Sequence, residues 1–111
     1  MFEKNLNIAY LLDFYGDLLS ERKRSVMNMY YNEDLSLAEI ALEIGISRQG
    51  VRDLIKKSEE ELFEYEEKLG LAQKISSLEE SAQRLASLAK EYSLPDEVKK
   101  EIESLTFIIE S

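Results

Sequence analysis

The chain has 111 residues, 44% of them apolar, which suits one domain with a real core and room for an appendage. It has no Cys and no His, which excludes a disulfide framework, a thiolate metal site, and the commonest general base and transition-metal ligand. The formal charge is −9, yet residues 1–57 carry 8 basic against 9 acidic side chains and residues 58–111 carry 6 against 14, so the acidity is expected to belong to the second half.

The opening stretch MFEKNLNIAYLLDFYGDLL is interrupted by Glu3, Asp13 and Asp17 and does not read as a signal peptide. No apolar run nears the roughly 20 residues of a membrane span, so a cytoplasmic protein without membrane contact is expected. Only 4 Gly and 1 Pro punctuate the chain, and its periodicity is helical throughout. Residues 5–18 place Ile8, Leu11, Leu12, Tyr15 and Leu19 on one face, with Gly16 loosening the end. Ser20 can cap a second helix, Glu21 to about Asn32, that buries Val26, Met27, Met29 and Tyr30. After a turn at NED, Ser36 can cap a third helix to about Ile44, and Ser47 a fourth. Nothing breaks the fourth before Gly70, so it is predicted to run about 22 residues, or about 33 Å. Apolar residues then fall at 71, 75, 78, 82, 85, 89 and 92, a heptad seam. SLPDE stops and restarts the helix with Pro95 at a helix start, and Val98, Ile102, Leu105 and Ile109 form a last stripe.

The segment LSLAEIALEIGISRQGVRDLI, residues 35–55, matches a helix-turn-helix at every offset. Two steeply crossing helices need a small contact residue, a turn residue that tolerates positive φ, and apolar residues at fixed positions. Ala41 and Gly45 supply the first two; Ile40, Ile44, Ile46, Val51 and Leu54 supply the rest. An ordinary helical hairpin is the competing reading. In the DNA-binding reading Arg48, Gln49 and Arg52 face base edges, since Arg can fork onto guanine and Gln onto adenine. Ser47 lies close to the phosphates, and Lys56 and Lys57 suit them one turn on. Asp53 repels phosphate, and Gly50 weakens the helix by up to about 1 kcal/mol unless it admits a close backbone approach. A second basic cluster, Arg22, Lys23 and Arg24 in SERKRS, is a candidate for phosphate contact or an ordinary charged helix start.

The stretch LLSERKRSVMNMYYNEDLSLAEIALEIGISRQGVRDL is similar to the C-terminal promoter-reading region of bacterial sigma factors, over about residues 18–57. No other sigma region accompanies it. As a whole, the length, the opening NIAYLLDFYGDLLSERKR and the acidic C-terminal helices resemble the YlxM-type family of small bacterial helix-turn-helix proteins. That resemblance spans nearly the full chain. Genes of that family commonly neighbour the gene of the signal recognition particle GTPase, so the resemblance implies a regulatory part in that pathway. It carries over no catalytic residue.

Acidic runs such as SEEELFEYEEKLG lack the Gly-containing loop and ligand spacing of an EF-hand and read as a solvated helix face. Without His or a Gly-rich phosphate loop, the chain reads as a non-enzyme that needs no cofactor or metal. The expected fold class is all-α: a sigma-like helix-turn-helix head over residues 1–57, whose long recognition helix continues as an acidic arm, residues 58–111, into a C-terminal helical hairpin or bundle. The expected function is regulatory binding of duplex DNA. Two other readings stay open: a protein-interaction adaptor of the secretion pathway, and a binder of structured RNA. The C-terminal stripes hold more apolar surface than a short hairpin uses, which points to a homodimer with heads about 34 Å, one DNA turn, apart. A monomeric three-helix bundle is the competing arrangement.

Overall fold

In the computed structural model, which describes residues 6–111, the chain forms α1 (Leu6–Tyr15), a 3-10 turn (Gly16–Leu18), α2 (Glu21–Tyr31), α3 (Leu37–Ile44), α4 (Arg48–Leu69), α5 (Leu71–Glu91) and α6 (Asp96–Glu110). The described residues include no strand, so the fold is all-α. Asn5, the expected first helical residue, lies outside them. No described helix is long and apolar enough to cross a membrane. The chain divides into two compact units, Met1–Leu69 and Gly70–Ser111.

In the first unit, the face expected from the periodicity of α1 is buried in full: Ile8, Leu11, Leu12, Tyr15 and Leu19. Ser20 caps α2 by accepting the Lys23 amide at 3.3 Å. Val26, Met27 and Tyr30 are buried behind it, while Met29 is half-buried. The NED turn places Asp34 at φ 58°, a left-handed conformation that Asp tolerates better than most residues.

The first unit ends at Leu69, where residues 57/58 were expected to mark the boundary. The reason is a stripe on α4: Val51, Ile55, Ser58 and Leu62 are all fully buried. The spacing is 4-3-4, so one face of the helix stays against the core well past residue 57. Ser58 sits in that stripe without an orphaned polar atom, because its hydroxyl donates to the Leu54 carbonyl at 2.7 Å. Polar contacts continue the attachment. The Tyr15 hydroxyl donates to Glu66 at 2.6 Å and Lys23 pairs with Glu61 at 3.1 Å. The Tyr31 hydroxyl donates to Glu59, and that of Tyr65 to the Leu18 carbonyl at 3.3 Å. Residues 58–69 therefore act as a strut of the first unit, and Leu62, like Ile55 before it, is occupied within it.

The second unit is a helical hairpin, turned at Tyr92–Pro95, with Ser93 at φ 50°. Ala72, Ala82, Ala89 and Ile102 are buried. The heptad seam divides lengthwise. Ile75, Ala82 and Ala89 face inward, whereas Leu78, Leu85 and Tyr92 stand 44%, 40% and 69% exposed. α6 repeats the division: Ile102 and Ile109 turn in, and Val98 and Leu105 turn out.

The strut reading makes a measurable demand. Leu62→Ala should lower the unfolding free energy of the head by about 2–5 kcal/mol in denaturant titrations, the usual range for a buried Leu. Phe63→Ala, next in sequence but half exposed, should cost clearly less. Residues 58–69 lying outside the core would instead make both changes cheap.

Candidate nucleic-acid interface

The geometry of the site starts at α3. The Ser36 hydroxyl accepts the Glu39 amide at 3.1 Å, and the Glu39 carboxylate accepts the Ser36 amide at 3.0 Å. This capping box satisfies two helix-end donors and fixes where α3 begins. At the other end Gly45 adopts φ 73°, ψ 36°, which a Cβ would strain. The Gly45 and Ile46 amides both donate to the Ala41 carbonyl, at 2.9 and 3.2 Å, so the chain turns sharply. The Ser47 hydroxyl then accepts the Gly50 amide at 3.0 Å and starts α4. Between the two helices Ile40, Ala41 and Val51 are buried, and Ile44, Ile46 and Leu54 are half-buried. Every offset anticipated for a helix-turn-helix is in use.

Gly50 also finds its reason. A Cβ there would lie 3.2 Å from both Ile46 Cδ1 and Ser47 Oγ. The close approach comes from these two turn side chains, folded over the first turn of α4.

Arg48, Gln49 and Arg52 are exposed and share a shallow concavity of about 360 Å3 with Ser36, Leu37 and Ala38. The start of α3 was not anticipated as part of this surface. The cue in the sequence was the capping box, which makes Ser36 the point where α3 enters the turn of the motif. Gln49 is not idle: its Nε2 donates to Asp53 Oδ1 at 3.0 Å, one helical turn on. Bidentate adenine recognition uses both amide atoms, so Gln49 must leave Asp53 before it can read a base in that way. Arg48, Arg52, Lys56 and Lys57 are exposed and make no ion pair among the described residues. Arg48, Arg52 and Lys56 recur every four residues and form one edge. Lys57, nine residues after Arg48, lies about 180° around the axis from it, so the two lysines do not share a flank.

The α2 cluster is placed differently. Arg22 is exposed, but Lys23 is tied to Glu61 and Arg24 lies 3.5 Å from Asp17. Glu61 is 13 residues along α4 from Arg48, roughly 20 Å from the start of that helix. The structure thus brings Ser47, Arg48, Gln49 and Arg52 together and leaves Lys23 committed elsewhere.

The charge distribution of α4 is polar along its length. Residues 48–57 hold four cations and Asp53; residues 59–67 hold six glutamates. The acidity of the chain is concentrated on the same helix as the basic edge, at its far end. The run expected to be a solvated face is partly a set of clamps, since Glu59, Glu61 and Glu66 bond α2 and α1. Arg48 in the first turn and Glu66 and Glu67 in the last oppose the helix dipole, each unfavourably by about 0.3–1 kcal/mol when exposed, and Lys68 in the last turn offsets part of this. Helix stability alone would favour the reverse order.

Fold and surface together define a helix-turn-helix protein with an exposed cationic edge. The model of the UPF0122 family, described as "Putative helix-turn-helix protein, YlxM / p13 like", matches residues 2–105. The chain is similar to UPF0122 proteins of Bacillus cereus (strain AH187), Bacillus anthracis (strain A0248) and Bacillus thuringiensis subsp. konkukian (strain 97-27). It is 44% identical to each over 106 residues, covering 95% of this chain and 96% of the relative. The chain belongs to the UPF0122 family, whose description is that of a helix-turn-helix protein.

Hydrogen bonds from the Ser36 amide and hydroxyl partners hold the Glu39 carboxyl below its ordinary 4.5. A carboxyl lowered on folding contributes stability above its unfolded value and loses it as pH falls through the folded one. Glu39→Gln keeps the hydrogen-bonding shape without the charge. Wild type should melt above this variant near neutral pH, and the gap should close as the pH is taken well below 4.5 in thermal scans.

Proposed function

We propose that the head binds duplex DNA in a regulatory role, with the start of α4 in the major groove. The observation that carries this reading is the shared exposed surface of Arg48, Gln49 and Arg52 beside the start of α3. Arg48 and Arg52 read base edges, guanine being the best match for a forked guanidinium. Gln49 exchanges Asp53 for a base or for water. Lys56 and Lys57, on different sides of α4, contact phosphates flanking the groove. Ser47 completes the phosphate contacts while its oxygen holds the first turn of α4. The charge order of α4 supports the assignment, because it serves a polyanion at one end at a cost to the helix. The protein acts in the cytoplasm as a homodimer, so that two heads read one site.

A second reading has one specific observation behind it. Leu42, on α3, is 86% exposed, and docking of α4 on DNA gives it nothing to do. A protein partner would cover it, as an adaptor of the signal recognition particle pathway requires, and structured RNA of that particle could take the place of DNA on the basic edge. Pull-down from lysate with and without nuclease separates these. Nuclease-sensitive recovery of DNA supports the first reading, and nuclease-resistant protein the second.

Binding assays by fluorescence anisotropy test the base-reading edge. Arg48→Ala or Arg52→Ala should cost about 1–3 kcal/mol on the selected site and relax the preference at one position. Lys56→Ala or Lys57→Ala should weaken binding to all sequences alike and flatten the salt slope by about one unit each. Lys23→Ala should leave affinity unchanged while lowering head stability by about 0.2–1 kcal/mol, since its ion pair is partly solvated. An Arg48→Ala/Arg52→Ala protein that binds its target like wild type would remove the reading.

Asp53 supplies a separate check. Asp53→Ala frees Gln49 and removes a carboxylate from the surface, so affinity for any duplex should rise at low salt. The gain should fade as salt screens it.

A further inference from the structure

The hairpin of α5 and α6 leaves a broad apolar face open. Leu78, Leu85, Leu88, Val98 and Leu105 are each 40–45% exposed, and Ile108 is 67% exposed. These residues are not scattered. Leu78 and Leu85 repeat at seven, as do Val98 and Leu105, each row displaced by about 50° from the inward row of its own helix. The displacement has the same rotational sense on both helices. In an antiparallel pair, equal rotation carries both rows to the same side of the hairpin. Leu88 and Ile108 lie further round in that sense and widen the face. Phe107, 73% exposed, points to the other side, where it lines a groove with Ala86, Lys90 and Thr106.

We infer that this face is covered by a second copy of the same hairpin, giving an isologous dimer whose four helices enclose one core. The occupant follows from three features of the face. Heptad rows on both helices complement another pair of rows with the same repeat, as in a four-helix bundle. The six side chains expose roughly 500 Å2 per copy, so a pair would bury about 1,000 Å2 of apolar surface, the size at which a specific interface begins. The edge of the face carries opposite charges at different heights. Lys74 lies near the start of α5, and Glu101 is next to Ile102, which shares the groove lining with Ala89 towards the end of α5. Neither makes an ion pair among the described residues. A twofold axis near Ala82 sets Lys74 of one copy beside Glu101 of the other, in two symmetric places. The hairpin also needs a partner for its own sake. Three alanines and one isoleucine make a thin core for 42 residues, a length at which chains seldom fold unaided.

This interface supplies a surface for the two-headed protein proposed above, yet it stands without any assumption about DNA, and its test uses none. Sedimentation equilibrium of the full chain at micromolar concentration should return twice the 12.9 kDa monomer mass. The melting transition of the hairpin should move to higher temperature with protein concentration, as mass action requires of a dimer. Leu88→Lys and Ile108→Lys, at the more exposed positions of the face, should each raise the dissociation constant at least a hundredfold. Phe107→Lys should leave mass and melting unchanged. A full chain that sediments as a monomer up to the highest soluble concentration, with melting independent of concentration, would overturn the inference. So would a dimer that survives Leu88→Lys and Ile108→Lys, or one that Phe107→Lys dissociates.

Discussion

One constraint governs the head: α4 is a single 22-residue helix that must bury one stripe and present another edge. Val51, Ile55, Ser58 and Leu62 lock its rotation against α1 and α2, because turning it would drag fully buried side chains into water. Each of the apolar three, Val51, Ile55 and Leu62, resists by about 1.5–3 kcal/mol of burial. With the rotation fixed, the directions of Arg48, Gln49 and Arg52 follow from helix geometry. The capping box at Ser36 and the left-handed turn at Gly45 then set α3 beside them. The cationic edge is rigid because the opposite face of the same helix is the core.

That dual use explains the charge of the chain. A cationic segment and an acidic segment need not be separate domains. Along α4 they are the two ends of one rod, and the acidic end is put to work. Glu59, Glu61 and Glu66 receive Tyr31, Lys23 and Tyr15, so carboxylates hold the helices that brace the cationic end. On the proposed reading, the exposed remainder of the acidic end would repel nucleic acid from the sides of the head and leave the cationic edge as the favourable approach. Asp53 acts on a smaller scale, holding Gln49 in place until something better is offered.

The hairpin follows a different logic. Its helices meet through alanines, which allow close approach but supply little buried area, so the larger side chains are displaced to the outer rows. A seam that looks continuous in sequence is divided between a contact that closes within the chain and a face left for something else. The same heptad letters serve both.

The sequence by itself determined the local structure. Helix limits came within a residue or two because caps and breakers act over one turn: Ser20, Ser36 and Ser47 at starts, Gly45 and Gly70 at ends, Pro95 before the last helix. The helix-turn-helix was legible for the same reason, since its constraints are short-range offsets between Ala41, Gly45 and their apolar neighbours. Rotation about α4 was also legible for Arg48 and Arg52, through the 3.6-residue period. Only the tertiary structure decided which helices those stripes would cover. Ile55 and Leu62 show a buried face in sequence but not whether α1 or a second chain lies on it. Ser58 hid in the stripe because a hydroxyl does not announce burial when it can bond its own backbone. Lys23 reads in sequence as a candidate for phosphate contact, and only the structure shows its pairing with Glu61, 38 residues away. Partners of that separation leave no periodic trace in the chain, because they are chosen by packing between helices and not by the pitch of any one of them.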